Sequence, residues 1–175
     1  MAFFGAYADF SQILQRVASG LTVSPDLEVS SSQFERTRMF YGNAFEALGN
    51  LVDLIAYANN VLQGRKWDAF ERLTVKTYLS LDKSSRFGPF AATPEFANLN
   101  AEADNQLRNA SHHGSLEINS VTRIITYQAG KGGQGEEKTL SYTEYLIKSL
   151  TIFQQILAIF ALEILLAKGR SSSPL

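Results

Sequence analysis

The segment that most constrains the fold runs from Ser141 to Lys168. Ser141-Tyr142-Thr143-Glu144 is a capping box, in which a serine oxygen and a glutamate carboxylate satisfy exposed backbone N–H groups, so a helix is predicted to open there. Leu146, Leu150, Phe153, Leu157, Phe160 and Ile164 form one apolar stripe at helical spacing, and Ile147, Ile152, Ile156, Ile159, Leu162 and Leu166 form a second. Glu144, Lys148, Thr151 and Gln155 leave a narrow polar line between them. A helix apolar nearly all round has to be covered on both sides, in the centre of a bundle or at a subunit interface. Its most apolar part, Ile152 to Ala167, is short of the roughly 20 residues of a membrane span and carries Gln154, Gln155 and Glu163, so a buried helix and no membrane is the expectation.

Helices suited to cover it are predicted upstream. Phe3, Phe10, Ile13, Leu14 and Val17 share one face of a first helix that Gly20 stops. After a connector with Pro25 and a serine cluster, Ser32-Gln33-Phe34-Glu35 forms a second capping box. From there Tyr41, Phe45, Leu48, Val52, Ile55 and Leu62 step along one face of a long helix ending at Gly64. Gly42 and Gly49 inside it each cost about 1 kcal/mol against alanine, which predicts close packing of another backbone. A further helix is expected from Arg65 to Leu81, with Trp67, Phe70, Leu73, Thr74 and Tyr78 inward. Its basic residues, Arg65, Lys66, Arg72, Lys76, Lys83 and Arg86, read either as a solvated face or as a phosphate-backbone contact surface. Thr93-Pro94-Glu95 carries an N-cap, a first-position proline and an acid at the positive helix end, so a helix is expected from there through Phe96, Leu99, Ala103 and Leu107.

Past Gly114 the period changes to two. Val121, Arg123, Ile125 and Tyr127 alternate with Thr122, Ile124 and Thr126, which predicts a strand, and a second short strand is expected around Lys138 to Ser141. The glycine-rich turn between them lacks the Lys-Ser/Thr pair and following helix of a phosphate cradle, so it reads as a hairpin tip. The expected architecture is all-α: one domain over residues 1–168, a bundle of four to five helices with a small β-hairpin inserted before the last, and a disordered tail over 169–175.

The chemistry-bearing stretch is Gln106-Leu107-Arg108-Asn109-Ala110-Ser111-His112-His113-Gly114, which holds both histidines of the chain. Residues four apart share a helix face, so Arg108 aligns with His112 and Asn109 with His113, while Gly114 closes the helix. The 175 residues contain no cysteine, so thiolate zinc sites and cysteine nucleophiles are absent; the two adjacent imidazoles have no carboxylate at ligand spacing, and no Gly-x-Ser-x-Gly elbow occurs. No metal and no cofactor is expected. A net charge of −1 leaves nucleic-acid binding to a local patch, and the N-terminus lacks the basic start and apolar run of a signal peptide, so a cytoplasmic location is expected.

Arginine, histidine and an amide suit phosphate chemistry. Histidine exchanges a proton near neutral pH, and a guanidinium fork matches a phosphate. RNA supplies its own nucleophile in the 2′-hydroxyl, so a base and an anion clamp suffice. The competing reading is structural: Asp104 stands four residues before Arg108, at ion-pair spacing, and the two histidines are suited to capping the helix C-terminus.

Leu-Arg-Asn-Ala-Ser-His-His-Gly at the end of a helix, followed by a hairpin and a long apolar helix, resembles the signature of the HEPN superfamily: an arginine, a polar residue directly after it, and a histidine four to six residues after the arginine. Arg108, Asn109 and His113 match the three places, and His112 falls one position short. The resemblance implies a metal-independent endoribonuclease in a defence, toxin or stress role, dimeric so that two motifs meet in one cleft, with the histidine in acid–base work and the arginine on the scissile phosphate. RNA would be the substrate, the C-terminal helix the dimer contact, and an antitoxin or defence-complex subunit a further partner. A non-catalytic subunit binding a nucleotide or a protein is the alternative. The tyrosine that the toxin branch paired with small nucleotidyltransferases carries two places after the histidine is Ser115 here.

Overall fold

The computed structural model describes residues 2–101, 104–130 and 134–171. In chain order these form α1 (Ala2–Gly5), α2 (Tyr7–Ala18), α3 (Phe34–Leu51), α4 (Asp53–Leu62), α5 (Val75–Leu79), two 3-10 turns (Ser85–Phe90 and Pro94–Phe96), α6 (Ala97–Ala101), α7 (Asn105–His113), β1 (Glu117–Ile118), β2 (Ile124–Gln128), β3 (Glu137–Ser141) and α8 (Tyr142–Ser171). The chain is therefore mostly helical, as its patterning predicts. The helices are shorter and more numerous than the four to five expected, eight among the described residues. The hairpin is a three-stranded antiparallel sheet in the order β1-β2-β3, with Ile118 opposite Ile125 and Ile125 opposite Leu140.

The breaks have local causes. The expected helix from Pro94 to His113 is interrupted because Asp104 takes an extended conformation and accepts the N–H groups of Gln106 and Leu107, each at 3.0 Å, starting α7 afresh. The helix expected from Arg65 to Leu81 shrinks to α5, because extended Thr74 caps it by accepting the Thr77 N–H at 3.1 Å. Trp67, expected inward, is 57% exposed, whereas Tyr78 is fully buried. The strand expected from Val121 starts at Ile124: the Asn119 carboxamide accepts the N–H groups of Val121 and Thr122 in a turn, and Arg123 adopts a positive φ of 58°. At the hairpin tip Gly130 and Gly135 pack backbone on backbone, and Lys131, Gly132 and Gly133 lie outside the described residues.

Two compact units make up the chain, Met1–Phe45 with Asp104–Ile152, and Glu46–Ala103 with Phe153–Leu175. In the first, Phe10, Ile13, Phe40, Tyr41, Phe45, Leu107, Ile125, Tyr142, Tyr145 and Leu146 are buried. A polar cluster sits among them. Asp9, 0% exposed, accepts from Ser32 Oγ at 2.9 Å, the Gln33 N–H at 2.9 Å and Tyr142 Oη at 2.6 Å. Burial, then the bond to Asp9, pushes the Tyr142 phenol well above its usual range. The Ser32 capping box is thereby replaced: its serine serves Asp9, and Glu35 pairs with Arg38 at 2.6 Å. The second box forms in part, with the Glu144 N–H donating to Ser141 Oγ at 3.0 Å.

In the second unit Arg86 is drawn off the expected cationic face, buried against Asp53 at 3.2 Å and the Leu79 carbonyl at 2.7 Å. Tyr57, Trp67, Phe70 and Tyr78 form an aromatic cluster. Gly49 meets the Lys83 side chain, with a Cβ placed there only 2.6 Å from Lys83 Cβ. The stretch Ile152–Ala167 is not buried as expected: Ile152, Ile156 and Ile159 are buried, but Leu157, Phe160, Ile164, Leu165 and Leu166 are exposed. By length and composition alone, Tyr142–Gly169 is apolar enough to cross a membrane, a test that core helices of soluble proteins also pass. The helix continues through Gly169 to Ser171, into the expected tail, and residues 172–175 lie outside the described residues.

Candidate functional site

The end of α7 is held from several sides. Leu107 and Ala110 are buried, and Ser111 Oγ donates to the Leu107 carbonyl at 2.7 Å while sharing a 2.9 Å hydrogen bond with the Tyr145 hydroxyl. Gly114 takes the left-handed φ of 70° and the Ser115 N–H returns to the Ala110 carbonyl at 3.1 Å, which closes the helix as predicted. The Gln106 carboxamide accepts the Gly130 N–H at 2.7 Å and so joins α7 to the turn after β2.

The four candidate residues divide between two neighbouring faces of this helix. Asn109 and His113 line a cleft of about 400 Å³ together with Gln106, Ser115, Gln128 and Gly130. Arg108 and His112 are not among its described lining residues, and both meet α3. The Arg108 guanidinium lies 6.0 Å from the Phe45 ring centroid, at the outer edge of a cation–π contact, and its Nη1 donates to Asn109 Oδ1 at 2.5 Å. The His112 ring lies against Gly42, where a Cβ would sit 3.1 Å from both Cδ2 and Nε2. The close packing predicted at Gly42 is thus an imidazole and not a backbone.

Neither structural alternative takes the form that spacing suggests. The Asp104 carboxylate caps α7 through Gln106 and Leu107, in place of the helical ion pair expected with Arg108. The α7 C-terminus is capped by Arg38, whose Nη1 donates to the Ser111 carbonyl while Nη2 holds Glu35. An arginine from α3 takes the capping role that the structural reading offered to the histidines, and both imidazoles stay exposed. Arg38, Gly42 and Phe45, at steps of four and three along α3, meet Ser111, His112 and Arg108 of α7.

Sequence reasoning missed Arg38, Tyr145 and the far wall of the cleft. Glu35 three residues before Arg38 marks an ordinary surface pair, and nothing local connects either to a serine 73 positions away. Burial, foremost, raises the Tyr145 phenol well above its usual range, and it raises Tyr127 to about 12. Both phenols are neutral donors at physiological pH.

Chemically, the cleft offers a solvent-accessible imidazole and a carboxamide, with a guanidinium hydrogen-bonded behind the carboxamide. That set can exchange a proton and hold an anion. Among the described residues no three His, Cys, Asp or Glu side chains are grouped to hold a metal ion. Comparison with family models, with curated proteins and with solved structures finds no match for this chain.

Proposed function

We propose that this chain is a metal-independent endoribonuclease of the HEPN type, cytoplasmic and active as a homodimer in a defence, toxin or stress role, with no cofactor. The observation that carries the reading is the Arg108-Asn109-x3-His113 pattern at the closed end of α7, with Asn109 and His113 facing one cleft and Arg108 bonded to Asn109. In the proposed reaction His113 takes the proton from an RNA 2′-hydroxyl. The oxygen attacks the adjacent phosphorus to form a cyclic phosphate, and the departing 5′-oxygen takes a proton from the histidine of the second copy. Arg108 stabilises the charge that gathers on the phosphoryl oxygens. The apolar surface of α8 at Leu157, Phe160, Ile164, Leu165 and Leu166 supports association with a second chain. RNA cleavage in EDTA, read beside native mass, tests the proposal: a dimer that cleaves, with loss of cleavage in His113→Ala and in Arg108→Ala, is the expected result. Undiminished cleavage by both variants rules it out.

One observation favours the second reading, a non-catalytic subunit that binds a nucleotide or a partner protein. Arg108 already has Asn109 as a hydrogen-bond partner and lies beside Phe45, away from the cleft lining. A folded dimer that cleaves no RNA yet retains a nucleotide or a protein would select that reading.

A further inference from the structure

We infer that a second cleft, in the unit built from Glu46–Ala103 and Phe153–Leu175, binds the phosphate and ring of a nucleotide. The cleft measures about 510 Å³, within the roughly 300–1,000 Å³ of small-molecule sites. Asn60, 1% exposed, forms part of its lining; its Nδ2 donates to the Trp67 carbonyl at 2.8 Å, and its Oδ1 accepts Arg65 Nη2 at 3.4 Å. The rest of the Arg65 guanidinium is poorly served. Its Nε is buried with no hydrogen-bond partner, and no carboxylate among the described residues pairs with it. A half-buried cation in that condition lacks an anion, and a guanidinium fork is shaped for phosphate oxygens.

The surrounding wall is preformed. The Phe70 ring lining the cleft is stacked on Tyr78 at 4.6 Å and meets Tyr57 at 6.1 Å, which makes it a rigid apolar surface suited to a base. The Pro89 carbonyl is held by Asn59 Nδ2 at 3.0 Å, and Thr93 Oγ1 donates to Asn59 Oδ1 at 2.8 Å. At the rim Arg72 is 87% exposed and touches Glu71 only at 3.7 Å, a weak pair that leaves it able to turn to a bound anion. Gly88 lines the cleft, and a Cβ there would meet nothing within 4 Å, so the space beside it is open. The shared chemistry is a nucleoside phosphate, supplied either as a free mononucleotide or as one residue of a single strand. The inference does not depend on the ribonuclease reading, because occupancy requires no cleavage.

Calorimetric titration of the full chain tests it, with AMP, adenosine, inorganic phosphate and a 2′-O-methyl oligoribonucleotide that lacks the attacking hydroxyl. Trp67 is the one tryptophan of the chain, and its ring meets Tyr57 at 5.2 Å, which in turn meets the cleft-lining Phe70 at 6.1 Å, so its fluorescence reports the site. Saturable binding of AMP or of the oligonucleotide is expected, weakened about tenfold or more in Arg65→Met and in Gly88→Leu. Binding of the oligonucleotide alone, lost in the same two variants, assigns the site to a strand, and binding of AMP assigns it to the free nucleotide. Equal affinity for adenosine and AMP, equal affinity for phosphate and AMP, or full binding by folded Gly88→Leu would each overturn the inference, as would the absence of saturable binding to both AMP and the oligonucleotide.

Discussion

His112 and His113 are neighbours in sequence and exposed alike, yet they occupy different surroundings. His113 shares the cleft face with Asn109, and His112 shares the α3 face with Arg108, its ring lying on Gly42. The cause is the helical period: each residue advances by about 100°, so neighbours point apart and residues four apart align. Two identical side chains thereby receive different tasks, one open to a ligand and one filling the space left by a glycine. The helix pair also shows how an open face is kept in place. Arg38, Tyr145 and Leu107 fix α7 from the closed side and the core, and Gln106 ties it to Gly130 at the cleft wall.

This contrast can be broken by substitution. The largest effect belongs to the open face: His113→Ala is expected to lower metal-free RNA cleavage by about 10²–10⁴-fold, the usual contribution of a positioned acid or base, while His112→Ala retains most of the rate. Initial rates on one RNA pool decide it, and the reverse ranking would move the site to the α3 face. Next comes Arg38→Ala, which leaves the Ser111 carbonyl without its cationic donor; unfolding in urea should show a loss of about 1.5–3 kcal/mol.

Tyr145→Phe is expected to cost about 1 kcal/mol at neutral pH through the lost bond to Ser111. It also acts at alkaline pH. Burial raises the Tyr145 phenol above its unfolded value of about 10, so above that pH the folded chain holds a proton that the unfolded chain has released. That contribution to stability is present below pH 10 or so and falls away as pH rises further. The variant should therefore lose stability less steeply there, as stability measured across an alkaline series would show.

The smallest effect tests the glycine. Gly42→Ala gains up to about 1 kcal/mol of helix propensity but brings a Cβ to 3.1 Å from the His112 ring. In a His112→Ala background only the gain should remain, and a double-mutant cycle in thermal unfolding reads the coupling as a positive difference. A cycle that closes to zero would mean that the imidazole does not rest on Gly42.

Much of the fold was legible because its rules are local. The stripe of Tyr41, Phe45, Leu48, Val52 and Ile55 is buried as its spacing predicts, although Leu62 at its end is 53% exposed, and Gly20, Gly64 and Gly114 all take positive φ at the predicted helix ends. The strand pair around Ile125 and Leu140 was also visible. The region from Arg65 to Leu81 was misread because its apolar spacing fits a helix while Thr74 caps a shorter one and an aromatic cluster holds the rest. Of the candidate site, the residues and their grouping in fours were readable, but not which pair faces a cleft, since each face of α7 pairs a histidine with one polar residue.

What the sequence by itself determined is the mostly helical course of the chain, the strand pair at Ile125 and Leu140 and the end of α7 at Gly114, because periodicity, caps and glycine act within about four residues. Tertiary structure alone decided how their ends are satisfied. The start of α3 is served by Asp9, a carboxylate 24 positions before the Gln33 N–H it accepts, in place of the adjacent Ser32-Glu35 box. The end of α7 is served by Arg38, 73 positions before Ser111, in place of the adjacent histidines. Unpaired helix termini accept any partner that packing delivers. Packing delivered distant ones here, and so left both imidazoles unemployed in holding the helix.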